Sequence, residues 1–183
     1  MERMENGDFD LLRVRMEKRF RRAEIEIGTD GNREQISGMD FSVSLSPNLA
    51  RAGEEAAAEV FWSRKRPPVI FLTQERTAGL TFQPLHEELD AGALIPSRER
   101  VRRITEQIDE RTVLYDSGEG GRAVWFDYKS FAGKEAVYNM TFLFQVGQRK
   151  ILGTFFCAFG AYDKWKPAVL GMMDSIKTQE EEG

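Results

Sequence analysis

The stretch Ala136-Val137-Tyr138-Asn139-Met140-Thr141-Phe142-Leu143-Phe144-Gln145-Val146, turned by Gly147-Gln148 into Lys150–Phe159, decides the fold. Side chains of a β-strand point alternately to opposite faces. Here Ala136, Tyr138, Met140, Phe142, Phe144 and Val146 alternate with Val137, Asn139, Thr141, Leu143 and Gln145, the clearest period of two in the chain. The glycine-containing turn predicts that the two runs pair as a long antiparallel hairpin.

Working outward from that hairpin, Arg122 to Phe131 reads as a strand with Val124, Phe126 and Tyr128 on one face. Asp116-Ser117-Gly118-Glu119-Gly120-Gly121 reads as the turn before it, and Thr112–Tyr115 as its partner strand. Ser97 is a plausible N-cap for a helix through Asp109, with Val101, Ile104 and Ile108 on one face and Arg98, Arg100, Arg102 and Arg103 on the others. After the hairpin, Asp163 caps a closing helix in which Trp165, Val169, Met172, Met173 and Ile176 form an apolar stripe, with Pro167 placed in the first turn.

Earlier in the chain, Arg22–Gly28 and Met39–Leu45 alternate about the turn residues Thr29-Asp30-Gly31-Asn32, predicting a β-hairpin. Ala50–Glu59 suits a short helix or an ordered loop. Glu59–Ser63, Val69–Thr73 and Gly79–Gln83 suit three strands of a meander. Phe9, Leu12, Met16 and Phe20 fall at helical spacing, and a helix is preferred there over a strand. The expected organisation is an N-terminal extension over residues 1–21, one α+β domain over 22–178, and a fraying acidic tail over 179–183.

A chain of 183 residues with 13 Phe, 3 Trp and 4 Tyr can bury a single large core. Its net charge of −4 argues against a nucleic-acid partner, which a basic surface would attract. No run of about 18 uncharged apolar residues predicts membrane insertion, and the charged start offers no secretory signal. A cytoplasmic location is therefore expected. The one cysteine, Cys157, forms no internal disulfide and reads as a buried structural thiol.

His86, the only histidine, lies beside Glu87 and Glu88 but lacks the clustered ligands that zinc requires, so it reads as a surface-loop residue. The glycine-rich 117–121 segment joins two strands and does not open a helix, so it lacks the geometry of a phosphate loop. The α-helical arginines read as a solvated face, partly neutralised by Glu99 and Glu106. No metal site, cofactor site or catalytic constellation is expected.

One face of the central strands stands out. Opposite Phe126, Tyr138, Phe142 and Phe144, the reading places Trp125, Phe131, Leu143 and Phe156 beside Asp127, Lys129, Asn139 and Thr141. Aromatics interleaved with polar groups suit a protein-binding patch. The competing reading is that a helix, such as Phe9–Phe20, covers this face.

The order of early strands (Met39–Leu45), mid-chain helix (Ser97–Asp109), long antiparallel strands and a closing Trp165-Lys166-Pro167…Asp174-Ser175-Ile176-Lys177 segment resembles the PsbP-like fold group. That group also contains DcrB-type bacterial proteins and Mog-type Ran-binding proteins. The likeness runs from Glu34 to Lys177 and includes the Gly153-Thr154-Phe155-Phe156-Cys157 strand. It implies an α/β/α sandwich, with a twisted antiparallel sheet of about six strands between helices. It also implies a non-enzymatic role as a binding module with a protein partner, self-association being left open. Two alternatives remain at this stage. One is a secretion-type chaperone sheltering an apolar helix of its partner; the other is an enzyme using carboxylates such as Asp116, Asp127 and Glu135.

Overall fold

A computed structural model describes residues 33–61 and 65–181. In chain order the elements are β1 (Arg33–Ile36), β2 (Phe41–Ser44), β3 (Ala50–Arg51), α1 (Glu54–Val60), β4 (Val69–Leu72) and β5 (Ala78–Pro84). They continue with α2 (Leu94–Ile108), β6 (Val113–Gly120), β7 (Ala123–Ala132), β8 (Glu135–Val146), β9 (Arg149–Ala158), α3 (Tyr162–Asp174) and β10 (Lys177–Thr178). Seven strands form one antiparallel sheet in the order β3-β4-β5-β9-β8-β7-β6, and β1-β2-β10 form a second, smaller one. The architecture is α+β, as expected.

The β8–β9 hairpin is the centre of the large sheet, turning at Gly147-Gln148 so that Val146 pairs with Arg149 and Val137 with Ala158. On one face, here called the core face, Phe82, Phe142, Phe144 and Phe155 are buried against the small sheet and α3. Phe41 of β2 packs edge-on to Phe82 and Phe144, with ring centroids 5.0 and 4.9 Å away. The expected stripe on α3 is present: Trp165, Val169, Met172 and Met173 are buried, with Ile176 just beyond the helix end. A Cβ at Gly153 would stand 2.2 Å from the Phe142 ring, so only glycine lets that ring lie across β9.

The opposite face is covered by two helices. Val101 of α2 packs in a cluster with Leu85, Val124, Phe126 and Leu143, and Ala57 of α1 with Ile70 and Leu72. Burial on both faces explains why β4 reads as a continuous apolar run without alternation.

Several boundaries differ from the sequence reading. The partner of β2 is β1, joined through the turn at 37–40. The expected strand at 22–28, its 29–32 turn and the Phe9–Phe20 helix lie outside the described residues. Glu59 and Val60 end α1 and do not begin a strand. Helix α2 starts at Leu94, three residues before Ser97, because Pro96 in a first turn sacrifices no hydrogen bond. Ser97 is therefore buried inside the helix and accepts from Arg100 at 3.0 Å.

The Asp116–Gly121 segment is strand, not turn: β6 runs to Gly120 and reverses at Gly121-Arg122. Pro167 lies in the second turn of α3, since a 3-10 turn over Phe159–Ala161 leads straight into the helix. The tail is held as far as Glu181, whose carboxylate pairs with Arg122 and accepts from the Thr178 amide. A fraying segment from Gln179 was the expectation.

Candidate functional site

Asp127 sits in the middle of β7 on the core face and is fully buried. An isolated carboxylate there would be strongly disfavoured, so its partners determine whether the site is stable. Lys166 Nζ lies 2.7 Å from Asp127 Oδ2, and the Tyr138 hydroxyl donates to the same oxygen at 2.8 Å. The Asp116 amide donates to Oδ1 at 2.8 Å.

That amide is available because the β6–β7 register shifts between Leu114 and Ser117. Tyr115 and Asp116 together stand opposite Asp127 alone, which is a β-bulge. The bulge thus turns a ladder donor onto a side chain. Lys166 reaches down from α3 and also lies 5.1 Å from the Trp125 ring centroid. Burial, and then the Asp127 charge beside it, holds the Tyr138 phenol well above its ordinary pKa, so it remains the donor.

From this buried ion pair a line of rings runs to the surface. Tyr138 lies 5.6 Å from Tyr162, Tyr162 lies 5.4 Å from Phe159, and Phe159 lies 6.2 Å from Tyr115. Lys129 Nζ stands 5.3 Å from the Phe159 centroid and 5.6 Å from that of Phe131. The Arg111 guanidinium stands over Phe131 at 5.0 Å. Arg111, Phe131, Lys129 and Phe159 are therefore a ladder of alternating cations and rings. The Phe131, Lys129, Phe159, Tyr115 and Tyr162 side chains are half-buried.

Arg111 is neutralised by Asp109 at 2.7 Å and donates to the Gly133 carbonyl at 2.9 Å. Lys129 contacts only its two rings and pairs with no carboxylate among the described residues. Desolvation, then the Asp127 charge, pushes the Tyr115 phenol up to about 12.

The residues expected to share one binding face do not share it. Trp125 pairs with Phe142, Asp127 with Met140, Lys129 with Tyr138 and Phe131 with Ala136, all on the core face. Asn139, Thr141, Leu143 and Phe156 lie on the opposite face, where Asn139 pairs with Tyr128 and with Phe156. There Asn139 Nδ2 donates to Ser130 at 2.8 Å, Leu143 is buried beneath α2, and Phe156 meets Phe61, the residue after α1, edge-on. Trp125 and Asp127 are buried beneath α3, so only Lys129 and Phe131 of the eight reach the ladder. Phe126 likewise belongs to the opposite face, away from Tyr138, Phe142 and Phe144.

The sequence reading missed Arg111, Tyr115, Phe159, Tyr162 and Lys166. The signal for Lys166 was a cation within an otherwise apolar helical stripe.

The other singled-out residues have structural roles. His86 Nδ1 accepts from the Glu88 amide at 3.4 Å and caps the 3-10 turn Glu87–Leu89. Cys157 is buried in β9, and desolvation, then the Asp163 charge, pushes its thiol up to about 12. Gly118 lies against Trp125, whose ring a Cβ would approach to 2.8 Å.

The α2 arginines are more than a solvated face. Arg98 donates to the Gly118 carbonyl at 3.2 Å, and Arg100 donates to the carbonyls of Leu89 and Ala91. A cavity of about 430 Å³ lies between Arg51, Glu54, Arg66 and Pro68, and is not lined by Asp116, Asp127 or Glu135. No group of three His, Cys, Asp or Glu among the described residues is placed to hold a metal. No helix among them is long and apolar enough to cross a membrane.

With this geometry in place, comparison with solved structures shows that the fold is PsbP-like. The solution structure of cyanobacterial PsbP (CyanoP) from Synechocystis superposes with a TM-score of 0.57 at 10% identity, over 85% of this chain and 97% of that one. A crystal structure from Bacteroides thetaiotaomicron superposes with a TM-score of 0.52 at 9% identity, over 85% of this chain and 51% of its own. No family model and no curated protein matches the sequence. At such identities the likeness is one of fold.

Proposed function

We propose that this chain is a non-catalytic protein-binding module that docks its partner on the cation–aromatic ladder at the end of β6, β7 and β8. The observation carrying this reading is the partial exposure of Phe131, Lys129, Phe159, Tyr115 and Tyr162 beside a buried, hydrogen-bonded ion pair. Aromatic and cationic side chains dominate binding hot spots, and rings fixed from below lose little conformational freedom when a partner arrives.

The carboxylates offered for catalysis support this reading over an enzyme. Asp127 is committed to Lys166 and Tyr138, the Asp116 carboxylate accepts from the Ser117 amide, and Glu135 lies on the other face of the sheet from Asp127. The rings that would line a chaperone groove, Phe82, Phe142 and Phe144, are instead buried between the two sheets.

Site-specific photo-crosslinking in the native host tests the proposal. A crosslinker in place of Phe131 should yield one discrete adduct that mass spectrometry identifies. One at the exposed Gln74 should not. The same adducts from both positions, or none from position 131, would overturn it.

A further inference from the structure

We infer that Lys129 is the receptor for a carboxylate: the partner presents an acidic side chain to the Lys129 ammonium and an apolar side chain to the flanking rings of Phe131 and Phe159. This rests on the protein-binding reading above and specifies the partner's chemistry.

The argument is one of unsatisfied charge. An ammonium has three donors and no acceptor, whereas ring faces attract its charge without accepting a conventional hydrogen bond. The two rings at 5.3 and 5.6 Å hold the Lys129 ammonium in place while leaving those donors available. Its neighbour Arg111 has the opposite status, since Asp109 and the Gly133 carbonyl occupy its donors. The ladder therefore carries one cation already paired within the chain and one whose donors stay open to a partner.

The rings also fix the kind of acid. Phe131, Phe159 and Tyr115 expose apolar surface on either side of the charge, which suits a peptide carrying a carboxylate between large apolar side chains. A bare phosphate or a lipid headgroup would leave those rings uncovered. The ammonium is already positioned before binding, so little side-chain entropy remains to be lost.

The test uses the full chain and the blocked pentapeptide acetyl-Leu-Phe-Glu-Phe-Leu-amide, followed by amide chemical shifts. Binding should move the signals of residues 129, 131 and 159. The Gln counterpart of the peptide should bind about tenfold more weakly, as the loss of one charge-assisted hydrogen bond implies. Lys129→Met should abolish the discrimination between the two peptides while leaving the melting temperature within a few degrees. Lys129→Arg should retain it.

Equal affinity for both peptides, discrimination that survives Lys129→Met, or no binding at the solubility limit would overturn the inference. Tighter binding to phosphatidylglycerol vesicles or to a thymidine oligonucleotide would overturn it as well. Failure here with a discrete adduct still formed at position 131 would remove only the carboxylate. Failure of the crosslink would remove the docking surface itself.

Discussion

At the scale of single residues, Asp127 is where the structure is most sensitive. Its carboxylate has Lys166, Tyr138 and the Asp116 amide as partners, and removing one member of a buried pair strands the other. Asp127→Asn, which leaves Lys166 buried and uncompensated, should destabilise the fold by about 3–5 kcal/mol in urea titrations. Adding Lys166→Met should recover much of that loss, because the stranded charge is then gone. Strict additivity of the two substitutions would show that the pair is not coupled.

Gly153→Ala should lower stability by about 1–3 kcal/mol, since the new methyl would displace the buried Phe142 ring. An unchanged urea midpoint would contradict that packing.

Alkaline pH gives an independent check. Tyr115 is raised from 10.0 to about 12, and Cys157 from 9.0 to about 12. Both groups therefore hold their protons longer folded than unfolded. Their contribution to stability is complete below pH 9 and is lost as pH rises to about 12. Denaturation followed across that window should show a steady fall, and native Cys157 should resist alkylation at pH 8. Rapid alkylation at that pH would mean that β9 is not closed over the thiol.

At the scale of elements, α2 shows how far an amphipathic pattern can be trusted. The stripe Val101, Ile104, Ile108 was legible in the sequence, yet only Val101 is buried, and Ile108 is 77% exposed. Its first half packs on β7 and β8, and its end lies beyond the apolar cover. Val101→Ala should cost about 1–3 kcal/mol, whereas Ile108→Ser should stay within about 0.5 kcal/mol. Comparable losses in calorimetry would mean that the helix end is packed.

The β8–β9 hairpin was legible because its alternation and its Gly147-Gln148 turn agree. The grouping of the binding face failed for a reason of arithmetic. A two-residue turn pairs Ala132 with Glu135, so odd positions on β7 share a face with even positions on β8. Trp125, Asp127, Lys129 and Phe131 therefore cannot lie beside Asn139, Thr141 and Leu143. The Gly133-Lys134 turn had to be recognised before that parity could be read. The bulge at Tyr115-Asp116 had no local sequence signal, because the group that accepts from its freed amide, the Asp127 side chain, lies on the neighbouring strand. The ladder was hidden too, since it unites residues from β6, β7, the 159–161 turn and α3 that only the tertiary fold brings together.

At the scale of the whole molecule, two long-range pairings close the sheets: β5 pairs with β9 and β2 with β10. Such topologies must close large loops before their contacts repay the entropy, so refolding should take milliseconds to seconds. Stopped-flow fluorescence of the Trp165 region should report this, and a microsecond phase of full amplitude would contradict it.

The pairing of Thr178 with Phe41 also has a consequence for biosynthesis. Strand β2 leaves the ribosome early, with Phe41 and Val43 apolar, whereas its outer neighbour β10 is translated more than a hundred residues later. At about 5–20 residues per second the nascent β1–β2 hairpin spends on the order of ten seconds with one backbone edge unpaired. During translation that edge is open to wrong pairing, and only synthesis past Thr178 allows the small sheet to be completed.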